Sequence, residues 1–310
     1  MTAERFHEPV LCAEAVSQLV RDPEGTYVDG TTGGGGHAGK ICDVLRGQGR
    51  LICIDADADA LAFASERLRS NRERISFVQA NFGTLRDTVA SLGVTRIHGL
   101  LLDLGVSSYQ LDEASRGFSF RGEAPLDMRF DMRGGQNALG ILNGLDAGEL
   151  ERVLREYGEE FAARRIARAI VARRPVATTR ELADAVESVA GGRFLTKSLA
   201  RVFQAVRIAV NHELENLQRG LEQGRDLLAP GGRLVVISYH SLEDRIVKEF
   251  FKADAARVIP SGHPLVPDTE RTPGLSILTR KPTVPSADEQ RTNPRARSAR
   301  MRVAERTGAM

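Results

Sequence analysis

Three aspartates close what read as β-strands: Asp29 after "TYV", Asp55 after "LICI" and Asp103 after "GLLL". Carboxylates at the ends of apolar runs can accept hydrogens from hydroxyls or amines and can face a cation. The first of them opens "DGTTGGGGHAG", residues 29–39, eleven residues with six glycines. Glycine weakens strand and helix interiors, so this density needs a reason. Three readings compete: a flexible linker, a cradle for a dinucleotide's pyrophosphate, or a cradle for a different adenosine cofactor.

The flanking elements decide against a linker, which would be polar on both sides. Before the glycines, "GTYVDG" is a short β-type run. After them, "HAGKICDVLRG" carries Ile41, Val44 and Leu45 at helical spacing and stops at Gly47. The plan repeats: a buried strand over 51–54 ends in acids and leads to a helix, a third strand is "ISFVQANF", and a fourth is "IHGLLLDLGVSS". Strands alternating with helices predict a parallel sheet with right-handed crossovers.

After Ser108 the alternation stops. "QLDEASRGFSFRGEAPLDMRFDMRGG" reads as an ordered loop. The chain then turns helical, with "GELERVLREYGEEFAARRIARAIVARR" as the clearest amphipathic run. A further helix, "LARVFQAVRIAVNHELENLQRGLEQGRDLL", leads into "APGGRLVVIS", where the sheet resumes over 234–238. Two tail segments, "LSILTRKP" and "ARMRVAER", are close enough in the chain to pair antiparallel. The expected fold is therefore α/β: an open, mostly parallel sheet with an antiparallel C-terminal edge and an inserted, mainly helical domain. Residues 1–110 and 206–310 form the sheet domain in this reading, and 111–205 the insert.

Composition excludes little. Within 310 residues, 42% are hydrophobic and 27% charged, with a formal net charge of +2, values ordinary for a globular chain. Cys12, Cys42 and Cys53 show neither pairing nor metal spacing, which predicts reduced structural thiols and no metal site. The N-terminus carries acids and no long apolar core, and no stretch approaches the roughly 20 apolar residues of a membrane span. The expectation is a cytoplasmic protein away from membranes.

A glycine loop followed about 20 residues later by an acid suits any adenosine ribose, so NAD fits it too. Three features favour S-adenosylmethionine. Asp29 would repel a pyrophosphate but suits a cationic amino-acid end; Asp103 points to the carboxyl-end crevice where open sheets bind ligands; and "LLAPGGRLVVIS" with the tail pair resembles the last strands of class I methyltransferases.

With Asp103 in view, longer strings become specific. "HEPVL", "DGTTGGGGHAG", "IDAD", "LLDLGVSSYQLDEASRGFSFRGEAPLDMR", "VFQAVRIAVNHEL", "SYHSLEDRIVK" and "NPRARSARMRVAER" resemble the bacterial 16S rRNA (cytosine-N4)-methyltransferases, the ribosomal small subunit methyltransferase H family. The likeness runs from about residue 6 to 307. It implies methylation of a cytidine in 16S rRNA near the decoding centre of the small ribosomal subunit, with S-adenosylmethionine as donor and a homodimer left open. It carries cofactor contacts onto Gly35, Gly36, His37, Asp55, Phe82, Asp103 and Gln110. The unbroken glycine quartet with Thr32, and Tyr109, depart from the pattern expected of relatives.

Cytosine N4 is a poor nucleophile because its lone pair is delocalised into the ring. Transfer needs an acceptor for an N4 hydrogen and an in-line approach. The Asp/Asn/Ser-Pro-Pro-aromatic motif common to amino-methylating enzymes is absent, and "DLGVSS" stands in its place. Asp103, Ser107 and Ser108 are therefore the expected catalytic set, with Asp103 as the group that orients the site. Helix capping by Asp29 and Asp103, turn formation by the two serines, and a backbone-only role for His37 are the plainer alternatives. His240 reads equally as a crevice residue or a satisfied buried histidine. The loop "LDMRFDMR" reads equally as self-neutralising or as a gate. Arginines concentrate in "RRIARAIVARR" and again in the tail, the footprint expected of an RNA partner. The competing functions are a methyltransferase of protein or a small molecule, and a non-catalytic RNA-binding assembly factor.

Overall fold

Short apolar runs that stop at an acid or a glycine become strands, and the periodic stretches between them become helices. The computed structural model describes residues 9–107, 110, 111, 113–259, 261, 263 and 267–308. In chain order come α1 (Cys12–Leu19), β1 (Thr26–Asp29), α2 (Gly36–Val44), β2 (Arg50–Asp55), α3 (Ala58–Arg67), β3 (Ile75–Gln79), α4 (Leu85–Ser91) and β4 (Ile97–Asp103). There follow α5 (Ala138–Gly144), α6 (Ala147–Glu156), α7 (Ala163–Ala172), α8 (Thr179–Glu187), α9 (Leu195–Asn211), α10 (Glu213–Leu227), β5 (Leu228–Ser238) and α11 (Ser241–Asp254). The chain closes with β6 (Val258–Ile259), β7 (Thr269–Glu270), β8 (Leu275–Ile277), α12 (Ala287–Thr292) and β9 (Arg300–Arg306).

The main sheet has the order β3-β2-β1-β4-β5-β9-β8. The first five strands are parallel, and β9 runs antiparallel to both its neighbours. The tail strands do pair antiparallel. The reversed strand is nonetheless the second from the edge, because β9 inserts between β5 and β8 and so returns β8 to the common direction. Between them the polar tail folds into α12 and a 3₁₀ turn over Pro294–Ser298, where Asn293 caps Arg295 N.

Both faces of the sheet are covered, so the strands alternate between two apolar clusters with a period of two. Tyr27, Leu101, Val235 and Ile237 face α1 and α2. Val28, Leu100, Leu102, Leu234 and Val236 face α10 and α11 with Phe251.

The chain divides into two compact units, residues 1–105 with 214–310, and Val106–Glu213. The division falls at 106 and 213 rather than at 111 and 205. At the second boundary the reason is local: Val202, Phe203, Val206 and Val210 of α9 are built into the second unit's core, and the helical run breaks only at His212, whose φ is +50°. The run expected as one helix from 199 to 228 is thus two, α9 and α10. The amphipathic run over 148–174 is likewise two helices, α6 and α7. A side chain at Gly158 would stand 2.7 Å from the Arg201 carbonyl oxygen, and Glu159 has φ +49°, so the chain turns here. Reciprocal capping starts α6 (Asp146 with Glu149) and α8 (Thr178 with Glu181).

Among the tail arginines Arg302 is buried, Arg295 and Arg306 are half-buried, and Arg291, Arg297 and Arg300 are exposed. Arg302 is buried against Asp244 with contacts of 2.6 and 3.0 Å, and Arg300 reaches the same carboxylate. Among the described residues, no helix is long and apolar enough to cross a membrane.

Candidate functional site

Because β1 lies between β2 and β4, with Asp29 level with Cys53 on one side and Leu101 on the other, Asp29, Asp55 and Asp103 close three adjacent strands at the same end of the sheet. The glycine loop leaves β1 at that end. It is tied to β2 by the Gly33 amide donating to Asp55 Oδ2 (2.8 Å) and by Thr32 Oγ1 donating to the Ile54 carbonyl (3.1 Å).

The glycines themselves have a packing reason. Gly35 has φ +75° and forms the N-cap of α2. A Cβ there would lie 3.1 to 3.2 Å from Leu68 and Ala64, and one on Gly36 would lie 3.0 Å from Pro9. These crowding atoms are protein. The close approach expected toward a ligand is thus, at these two positions, an approach of α2 to α3 and to the N-terminal segment.

The aspartates carry the ligand argument instead. Asp29 is 1% exposed, caps no helix, and accepts only the Thr31 amide at Oδ1 (3.2 Å); its buried Oδ2 has no hydrogen-bond partner among the described residues. Asp103 accepts Tyr239 Oη at Oδ1 (2.8 Å), and its amide donates to Thr31 Oγ1 (2.6 Å). His37 Nδ1 lies 3.6 Å from Asp103 Oδ2. The histidine's Nε2 is 3.0 Å from the Val10 carbonyl, which can only accept, so Nε2 carries the proton and a neutral ring turns a bare Nδ1 toward Asp103. His37 therefore contributes its side chain, and not only an amide, to this cluster. Burial keeps the ring neutral by holding its pKa down.

Burial raises all three carboxyls. Asp29 is pushed up to about 7, with the His37 ring and the Thr31 amide opposing and the charges of Asp103 and Asp55 adding to the rise. Asp103 also reaches about 7, the Tyr239 hydroxyl opposing and Glu243 adding. Asp55 reaches about 6, its hydrogen bonds from the Asp57 and Gly33 amides opposing. Three acids closing adjacent strands, one of them with an unpartnered buried oxygen, make an environment for a cation. The sulfonium and ammonium of S-adenosylmethionine fit it, and a pyrophosphate does not.

The sign of the linkage follows. These folded-state values lie above the usual 3.8, so the three groups' contribution to stability is complete below that value and is lost as pH rises through about 6 to 7. A cationic ligand needs the ionised forms and reverses the trend. Affinity for S-adenosylmethionine is expected to rise about tenfold between pH 6 and pH 8 for each of Asp29 and Asp103 that must ionise and about twofold for Asp55, with proton release on binding. Calorimetry in buffers of different ionisation enthalpy measures both, and a flat affinity with no proton released would exclude this electrostatic role.

Phe82 begins the turn after β3 and rests against α10, where a Cβ on Gly220 would lie 2.7 Å from its ring. Ser107 and Gln110 belong to the second unit. There the Ser107 amide donates to Gln110 Oε1 (2.9 Å) and the Gln110 amide to Ser107 Oγ (3.2 Å). Ser108 and Tyr109 lie outside the described residues. His240 is the N-cap of α11, paired reciprocally with Glu243. The Asp127–Arg129 and Asp131–Arg133 pairs neutralise each other within the second unit, at 2.8 and 2.7 Å. Tyr239 and Val10 are the neighbours of Asp103 and His37 that reading the residues missed. Tyr239 stands two places beyond Ile237, which is level with Asp103, so strand register was the signal that identified it.

The sheet order with its one reversed strand, the glycine loop after β1 and the acids closing β1, β2 and β4 together define a class I, Rossmann-like methyltransferase that uses S-adenosylmethionine. Within that class the chain belongs to the MraW methylase family, whose model matches residues 4–307. It is similar to the Ribosomal RNA small subunit methyltransferase H of Heliobacterium modesticaldum, 48% identical over 97% of this chain and 98% of the relative. It is also similar to the protein of the same name from Syntrophotalea carbinolica, 47% identical over 99% of this chain and 100% of the relative.

Proposed function

We propose that the protein transfers a methyl group from S-adenosylmethionine to N4 of a cytidine in 16S rRNA of the small ribosomal subunit, near the decoding centre. The observation that carries the substrate class is the near full-length similarity to proteins named Ribosomal RNA small subunit methyltransferase H. The N4 position rests on the family resemblance and on the chemistry of Asp103.

In this reading Asp29 faces the donor's cationic end, Asp55 accepts from ribose hydroxyls, Phe82 packs on the adenine, and the amides over 35–37 hold the carboxylate. When bound, S-adenosylmethionine supplies an electrophilic methyl carbon on sulfur. The chain's own task is to make N4 a better nucleophile. Asp103, held by Tyr239 and with a pKa near 7, accepts an N4 hydrogen and draws the amine toward tetrahedral geometry. With the donor bound, N4 would take the methyl carbon while the carbon–sulfur pair stayed on sulfur, and Asp103 would receive the N4 proton and pass it to water. Ser107, Ser108 and Gln110 complete the proposed set of site residues, and the second unit serves as the RNA-recognition domain. The activity belongs in the cytoplasm, with the ribosomal subunits.

The test supplies methyl-labelled donor to purified small subunits lacking the modification, followed by nucleoside analysis. Label is expected in N4-methylcytidine. Label at carbon 5, or in ribosomal protein alone, would overturn the reading.

A further inference from the structure

Phe161 is 92% exposed and Phe194 is 57% exposed, both in the second unit and outside its core. Each carries a guanidinium over its ring: Arg201 at 4.8 Å from the centroid of Phe161, and Arg193 at 4.7 Å from that of Phe194. Buried Glu160 lies 4.0 Å from Arg201 and helps hold it there. The two pairs are linked along one helix. Phe194 caps α9, and Lys197 and Arg201 follow it by three and seven residues, so the three share a stripe about 10 Å long. On the other side of Phe161, exposed Arg164 and Arg168 continue along α7 at the same spacing. The stretches 161–180 and 188–212 contain no Asp or Glu.

We infer that this stripe is a binding platform for single-stranded RNA flanking the target nucleotide, with bases stacking on Phe161 and Phe194 and phosphates meeting Lys197, Arg201, Arg164 and Arg168. The inference rests on the RNA-substrate reading above. An exposed phenylalanine alone would be an unexplained apolar surface. One topped by arginine and bordered by acid-free cationic stripes matches the alternation of flat base and anionic phosphate in an unpaired strand. A duplex hides its base faces, so it would use the cations and not the rings.

The test measures fluorescence anisotropy of a labelled single-stranded RNA of about twelve nucleotides, with the full chain, as a function of salt. Phe161→Ala and Phe194→Ala are each expected to weaken binding about fivefold or more with unchanged salt slope, while Lys197→Gln and Arg201→Gln reduce the slope. Phe161→Trp retains affinity and Phe161→Leu does not. Melting temperatures stay at the wild-type value, because neither ring is buried. The inference is overturned if wild-type protein does not bind the strand, if the alanine variants bind as wild type, or if Phe161→Leu is as good as phenylalanine. Sedimentation altered by Phe161→Ala with RNA affinity intact would also overturn it and would make the patch a contact between copies. Loss of RNA binding in the alanine variants, in a protein that does not methylate subunits, would sustain the platform while removing the methylation reading.

Discussion

Asp103→Asn lowers turnover on the order of a hundredfold or more, and at pH 8 it leaves the protein as stable as wild type or more so. The two effects have one origin. Asp103 is held near pKa 7 by burial, so above that pH its charge is maintained at a cost to the folded state. Asparagine keeps the shape and can still receive the Tyr239 hydroxyl at its amide oxygen. It removes the charge, the capacity to take a proton and the stability lost at high pH. Tyr239→Phe separates the parts: the carboxyl remains but loses the bond that favours its ionised form, so the acidic limb of the rate profile shifts to higher pH with a smaller fall in turnover. Rate profiles and thermal melts across pH 6 to 9 read both. An asparagine variant with near wild-type turnover would remove Asp103 from the chemistry, and one that melts lower would make it a structural group.

Arg302→Met destabilises the protein by about 3 to 5 kcal/mol, because Asp244 then stays buried with only the more exposed Arg300 to answer it. The pair joins β9 to the first turn of α11, and the Tyr239 that holds Asp103 lies immediately before that helix. Adding Asp244→Leu to the variant recovers most of the loss, since an apolar pair of similar size needs no counter-charge. Denaturant titration of the two single variants and the double variant measures the coupling. Losses that simply add would show that the two side chains do not act on each other.

The strands and their closing acids were legible because a buried strand leaves a short apolar run and a carboxylate at its end breaks that run. What failed to show is of another kind. The heptad-like rhythm of "LARVFQAVRIAVNHELENLQRG" continues through His212, and nothing local marks the left-handed residue that divides it. The same holds at Gly158 and Glu159 between α6 and α7. The partners of the site acids are equally non-local: Tyr239 is 136 positions from Asp103, and the Val10 carbonyl that sets the His37 tautomer is 27 positions from that ring. At Gly35 and Gly36 the glycine run has a packing reason that the residues alone did not show, since neighbouring protein atoms fill the space a side chain would take. Within the arginine-rich tail Arg302 is the internal answer to Asp244, while Arg291, Arg297 and Arg300 stay at the surface.

The position of β9 has a consequence for the order in which a nascent chain acquires its parts. Residues 106–213 form one uninterrupted unit and can fold as soon as they are made. The sheet cannot close on the same schedule. β8, although synthesised earlier, has no strand to lie against until 300–306 arrive and slot between it and β5. The sheet that carries the acids of β1, β2 and β4 therefore gains β9 and β8 only after the helical unit has been made.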